Sequence, residues 1–398
     1  MKKKLFLIGL MAMSLGFTAC NNDDNNNGED NNTIPEGTAD VTIQENNIEV
    51  TTQNIGTWTQ YATAVANLLA KDATDLNKAW SVSYNNGEAY AQTFKNFGGE
   101  YQSAAACVQQ IVDGCIDIAG EVGTAKIGEP RDLWEAKKYT EAVYAVESWY
   151  SWHSIDDYSN NIISIRNAFN GTRNNQEAAH SLAAFTKAQN ATLYANVKGK
   201  IEAAYNSIKG MAAPFRSHIG SPSVLVAQEA CAALVNVLEK DLTSFISQHA
   251  DDDEMEKIVS TYVDQVVLPT YADLVTKTNA LHQAIVTLGS QPSSSNFKKA
   301  ADLWIEAREP WETSEAFLFG PVADLGLDPN MDSWPLDVDA IKGVMESGKI
   351  EELIKWDGEY DEENEDIEAV QNVRGFHTLE IKNLPKFSFF NFNLSRKI

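Results

Sequence analysis

His377 and Glu380 stand three residues apart in Arg374-Gly375-Phe376-His377-Thr378-Leu379-Glu380, a spacing that brings two side chains to one face of a helix. An imidazole nitrogen and a carboxylate oxygen together suit zinc, iron or copper better than calcium. The order of the pair departs from two known templates. Di-iron bundles carry Glu-x-x-His, the reverse, and the zincin helix needs a second His with a general-base Glu between them. Upstream, the segment Trp304 to Pro321 mixes aromatic residues with acids. Glu312 and Glu315 again lie three apart, and Pro310 is expected to kink or restart their helix one turn before Glu315. Asp332 follows in the irregular run Asp332-Ser333-Trp334-Pro335-Leu336-Asp337. Each piece alone is also the ordinary pattern of a surface helical pair, or of a core-facing aromatic helix with a solvated acidic edge. His153, flanked by Trp149 and Trp152, reads as a hydrogen-bonding or packing histidine before a ligand. No Gly-rich phosphate loop, Gly-x-Ser-x-Gly elbow or Cys/His nucleophile pattern is present.

These groups must be positioned by helices. Apolar residues recur at three- and four-residue spacing from Trp58 to Leu69, and the same period runs over about 101–119, 201–211, 224–246, 258–288 and 297–319. Alternating strand patterns are almost absent. The expected fold class is all-α, with long antiparallel helices joined by short turns into helical bundles. Turn chemistry concentrates in 120–130, at Asn170-Gly171, in 289–295 and between Gly320 and Pro335. Gly220-Ser221-Pro222-Ser223 has the look of a boundary, with Pro222 near a helix start and either serine available as a cap. Residues 357–368 form an acidic stretch expected in solvent. The chain is therefore divided into bundles over 48–220 and 221–398, two units of ordinary domain size.

Composition narrows the function classes. The formal net charge of −25 argues against nucleic acid, whose phosphates need a basic footprint, and against attachment to anionic lipid by charge. An acidic surface suits cations, although a solvated acidic coat has the same composition. Lys2, Lys3 and Lys4 precede an apolar stretch from Leu5 to Phe17, too short to span a bilayer, and then Thr18-Ala19-Cys20. This resembles a bacterial lipoprotein signal over residues 1–20, with Cys20 as the lipidated first residue of the mature chain and Phe17 where Leu is usual. Residues 21–47 read as a disordered polar tether, rich in Asn and Asp near its start. The resemblance implies a cell-envelope protein anchored to the outer membrane, on its periplasmic face or at the cell surface. Cys107, Cys115 and Cys231 then remain, an odd number that implies no disulfide framework.

Several strings together carry a wider resemblance. They are Ala307-Arg308 with Pro310-Trp311, Ser314 to Pro321, Asp332 to Asp337, and Gly375-x-His377-x-x-Glu380. Jointly they resemble the imelysin family, also called insulin-cleaving membrane peptidases. Asp113-Gly114, Asp117-Ile118-Ala119, Gly128-Glu129-Pro130 and Glu147-Ser148-Trp149 match a segment that the family places after its His-x-x-Glu. The chain thus looks circularly permuted, with the family's second half first and the signature last. The resemblance implies two helical bundles with a site in the cleft between them. It also implies a metal cluster of His377, Glu380, Glu315 and Asp332, with Arg308 orienting a carboxylate and Glu312 as an extra ligand. The metal would be a divalent or ferric ion, iron before zinc. The function implied is an envelope lipoprotein binding that ion in iron uptake, with transporter components as partners. A metallopeptidase of the imelysin type and a saccharide- or peptide-binding lipoprotein are the alternatives.

Overall fold

A computed structural model describes residues 53–148, 150–356 and 359–380. The leader with Cys20, the tether and the tail after Glu380 lie outside the described residues. Among those described there is no strand, and helices supply nearly all the regular structure. The all-α expectation holds.

Eleven helices build the part of the fold that bears on the site. They are α1 (Ile55–Ser81), α2 (Ala104–Glu121), α3 (Gly128–Glu135), α4 (Ser154–Asn170), α5 (Ala191–Lys209), α6 (Pro222–Asn236), α7 (Leu268–Ser290), α8 (Ser294–Glu312), α9 (Leu327–Asp332), α10 (Val338–Ser347) and α11 (Glu365–Gln371). The apolar stripe of α1 buries Leu69, Ala73, Leu76 and Trp80, and α1 lies along α7, which in turn lies along α8. On the other side α2 packs on α4 and α6, while α5 packs on α4 and α6. Contacts therefore cross position 220/221 in several places, among them α1 on α7, α5 on α6, α2 on α6 and α4 on α8. The larger apolar core draws residues from Ala66 to Phe376, and a second, smaller one joins Trp58, Tyr61 and Val65 of α1 to Ile341 and Val344 of α10.

Several local expectations are corrected. Residues 120–130 are not a break: α2 runs into a π-helical turn, Val122–Lys126, and then into α3. Gly123 and Gly128 serve packing there. A Cβ at Gly123 would stand 2.9 Å from the Cys231 Cβ, and one at Gly128 would stand 2.8 Å from the Gln228 side chain, both on α6. The period over 258–288 is likewise carried through a π turn, Val263–Val267, into α7. The 297–319 helix ends at Glu312, and a 3-10 turn, Glu315–Phe317, follows. Pro310 does not restart the helix, because only two residues of α8 follow it. Pro222 does open α6, but the Ser221 hydroxyl caps nothing and pairs with Ser223 Oγ at 3.0 Å. The end of the acidic stretch is helical rather than loop. Asn364 caps α11 by accepting from Asp366 N, and Glu365, Asp366 and Glu368 sit at its positive end. Cys107, Cys115 and Cys231 are buried free thiols.

Candidate metal centre

The His377–Glu380 turn is a 3-10 helix, in which side chains three apart eclipse. Glu380 Oε1 accordingly sits 2.6 Å from His377 Nδ1. A carboxylate at Nδ1 holds that nitrogen as the donor and orients the ring, so that Nε2 faces the other way. Ser151 N–H also holds the Glu380 carboxylate, donating to Oε2 at 3.1 Å, and Ser148 Oγ lies 3.2 Å from Oε1.

The signature glycine has a steric reason. Gly375 has φ +95°, and a Cβ on it would lie 2.5 Å from the Met331 carbonyl oxygen. Phe376 N–H donates to that same oxygen at 2.7 Å. The turn is thus pressed against the end of α9, whose last residue is Asp332. His377 Nε2 comes to 3.1 Å from Asp332 Oδ1 and 3.5 Å from Glu147 Oε1. His377 is wholly buried, and neither contact has hydrogen-bond alignment, so Nε2 has no hydrogen-bond partner. Trp334 packs edge-on against the ring at 5.0 Å between centroids.

Arg308, from α8, is the central counterion. Its guanidinium makes close ion pairs with Asp332 and Glu312 and lies 3.2 Å from Asp157 Oδ2 and 3.3 Å from Glu147 Oε1. Asp332 is further fixed by Trp311 Nε1, which donates to Oδ2 at 2.8 Å. Lys126, delivered by the first π turn, donates to Glu147 Oε2 at 2.7 Å. Such π turns add a residue to a helix and recur at functional sites. Asn161 Nδ2 donates to Glu312 Oε2 at 2.7 Å. Ser148 is held at φ +55°, a left-handed conformation that costs a non-glycine residue roughly 1–3 kcal/mol. In that conformation its hydroxyl donates to Asp157 Oδ2 at 2.5 Å while also facing Glu380.

The electrostatics are unbalanced. Carboxylates outnumber cations: Glu121, Glu147, Asp157, Glu312, Asp332 and Glu380 pair with only three cationic side chains, Lys126, Arg308 and His377. Burial pushes the Glu312 and Glu315 carboxyls well above the usual range, lifts Asp157, and carries Asp328 up to about 7. Without a cation, protons absorb the excess. Burial would also raise Asp332, but Arg308 and His377 hold it below the usual carboxylate range. Glu147 is held at about 2, burial being outweighed by Lys126 and His377. The imidazole of His377 is pushed well above its ordinary value, because Asp332 and Glu380 outweigh the opposing effect of burial.

Two sets of ligand atoms lie within 4.8 Å of one another: Glu147, Asp332 and His377 form one, and Glu312, Glu315 and Asp332 the other. The four residues expected as one cluster are therefore distributed. His377 and Asp332 meet, Glu380 is on the opposite ring nitrogen, and Glu315 stands in the second set with Glu312. Arg308 does contact carboxylates, as expected of it. His153 Nδ1 pairs with Asp156 at 2.9 Å and belongs to neither set. Glu147, Lys126 and Asp157 were not singled out for chemistry by spacing, since each approaches the cluster from far along the chain. The family-like string Glu147-Ser148 and the neighbouring Asp157 were the available signal. A cavity of about 260 Å³ abuts the cluster, with Arg308 and Asp157 in its wall beside Trp304 and Lys209.

A buried imidazole nitrogen that faces two carboxylates without an aligned hydrogen bond belongs to a donor set that fits a first-row transition ion, and the surplus negative charge fits its charge. The class of protein follows from comparison. The Imelysin family matches residues 30–243 and 267–381, more than half of the chain, and the chain belongs to that family. A crystal structure of an imelysin peptidase from Bacteroides ovatus is 48% identical, with a TM-score of 0.82 over 84% of this chain and 96% of that one. Iron-regulated protein A from Synechococcus elongatus is 38% identical over 84 residues, 21% of this chain. That match spans about a quarter of the relative's own length, 24%.

Proposed function

We propose that this protein is an envelope lipoprotein that captures a transition-metal ion, iron by preference, and serves iron uptake. The observation that carries the reading is His377 Nε2, buried and without an aligned hydrogen bond, facing Asp332 Oδ1 at 3.1 Å and Glu147 Oε1 at 3.5 Å. In this reading His377, Asp332 and Glu147 hold the ion. Glu380 holds the imidazole in the coordinating tautomer through Nδ1. Arg308 and Lys126 keep the remaining carboxylates neutralised and in place. The name of the relative Iron-regulated protein A supports iron over zinc. Cys20 carries the lipid anchor, and transporter components of the envelope receive the ion.

Metal analysis tests this. Protein loaded with Fe²⁺ or Mn²⁺ and then desalted should retain ion, and His377→Ala should not retain it at the His377 position. Wild-type protein that takes up no divalent or ferric ion overturns the reading. A metallopeptidase is the second reading, favoured by the name of the Bacteroides ovatus relative. Chelator-sensitive cleavage of unfolded protein substrates, lost in Glu147→Gln and His377→Ala, would put it first.

A further inference from the structure

We propose that the centre holds two cations rather than one, with Asp332 shared between them, the second ion lying among Glu312, Glu315 and Asp332. The inference rests on the cation-binding reading above and deepens it. The ligand atoms of these three carboxylates fall within 4.8 Å of one another, in a group distinct from that of His377.

Glu315 is 7% exposed, yet among the described residues it makes no hydrogen bond and no ion pair. A carboxylate with so little water around it and no donor of its own is stabilised by an ion or a proton. Glu312, from the end of α8, is fully buried, and its Oε1 has no hydrogen bond, only its close ion pair with Arg308. Asn161, bonded to Glu312 through Nδ2, keeps its Oδ1 without a partner in the same buried layer.

Backbone geometry holds this second set as firmly as the first. Gly114 of α2 lies against the 3-10 turn that carries Glu315: a Cβ there would stand 2.2 Å from the Ala316 carbonyl oxygen. Ser164 Oγ accepts from Ala316 N–H at 3.1 Å on the other side. The donor sets also differ. The His377 group offers nitrogen and oxygen, whereas the Glu315 group is all oxygen and takes a hard cation such as Mn²⁺, Mg²⁺ or Fe³⁺.

The experiment is a Mn²⁺ titration of the whole mature chain, followed by electron paramagnetic resonance and metal analysis after desalting. Two ions per chain are expected, with the six-line Mn²⁺ spectrum broadened by the nearby second spin. Glu315→Gln should retain one ion and show the sharp spectrum of an isolated site, and His377→Ala should also retain one. Glu312→Gln provides the same readout should Glu315→Gln fail to fold by circular dichroism. One ion in wild type, or two ions retained by the carboxamide variants, overturns the second site and leaves the first standing. No ion in wild type overturns both.

Discussion

Gly375 lies against the Met331 carbonyl so closely that a single added methyl group would stand 2.5 Å from its oxygen. This contact sets His377 beside Asp332, because the residues that follow Gly375 and Met331 carry the two facing ligands. It gives the glycine of the Gly-x-His-x-x-Glu string a physical reason: φ of +95° and no room for a side chain.

Gly375→Ala should therefore destabilise the fold by roughly 2–5 kcal/mol, from backbone strain together with steric displacement of the α9 end. Thermal unfolding of the metal-free protein measures it. A melting temperature equal to that of wild type would mean that the turn adapts and that the contact positions nothing.

Glu380 and Glu147 should respond differently to the same chemistry. Glu380 meets Nδ1 and acts through His377, so Glu380→Gln should weaken metal affinity about 10–100-fold while leaving the stoichiometry unchanged. Glu147 faces Nε2 at 3.5 Å, and Glu147→Gln should abolish retention at that position. Isothermal titration with Mn²⁺ reads both. The reverse order of effects would move Glu380 into the coordination sphere.

Arg308 is 2% exposed and faces Glu147, Asp157, Glu312 and Asp332. Arg308→Met removes the one cation common to them, and breaking a buried network in this way costs roughly 3–5 kcal/mol. The exposed pair Lys71–Asp75 is the contrast: Lys71→Ala should cost under about 1 kcal/mol. Chemical denaturation of the two variants, side by side, checks the difference.

Acidity should act on stability and on binding in opposite senses for His377. Its folded value is raised above the ordinary 6.5, so in the metal-free protein its stabilising contribution is complete below that value and is lost as pH rises through the folded one. Asp332 has the opposite sign. Its folded value is depressed, so its contribution is present above about 3.8 and is lost as pH falls through the lower folded value. Metal on Nε2 must displace the imidazolium proton, so affinity should climb with pH and binding near pH 7 should release about one proton from this group. Titrations in two buffers of different ionisation enthalpy count the protons. Binding with no proton uptake or release would exclude His377 as a ligand.

Part of this was legible along the chain because it depends on short-range regularity. The 3.6-residue apolar period specifies helices, and their extents over 58–69, 224–246 and 258–288 reappear in α1, in α6 with its continuation, and in α7 with the helix before it. The joint occurrence of His377, Glu380, Glu315, Asp332 and Arg308 in family-like strings was equally visible. Gly123 and Gly128 are packing contacts against α6, and a glycine that admits a neighbouring helix looks in sequence like a glycine that makes a turn. Which ring nitrogen meets which carboxylate was decided only by tertiary structure. Ser148 meets Glu380 across 232 residues, and Arg308 meets Glu147 across 161. Spacing along a helix specifies a shared face, but it carries no information about the opposite wall. Of that wall, Asp157 comes from α4, Lys126 from the π turn after α2, and Glu147 from the turn that precedes α4.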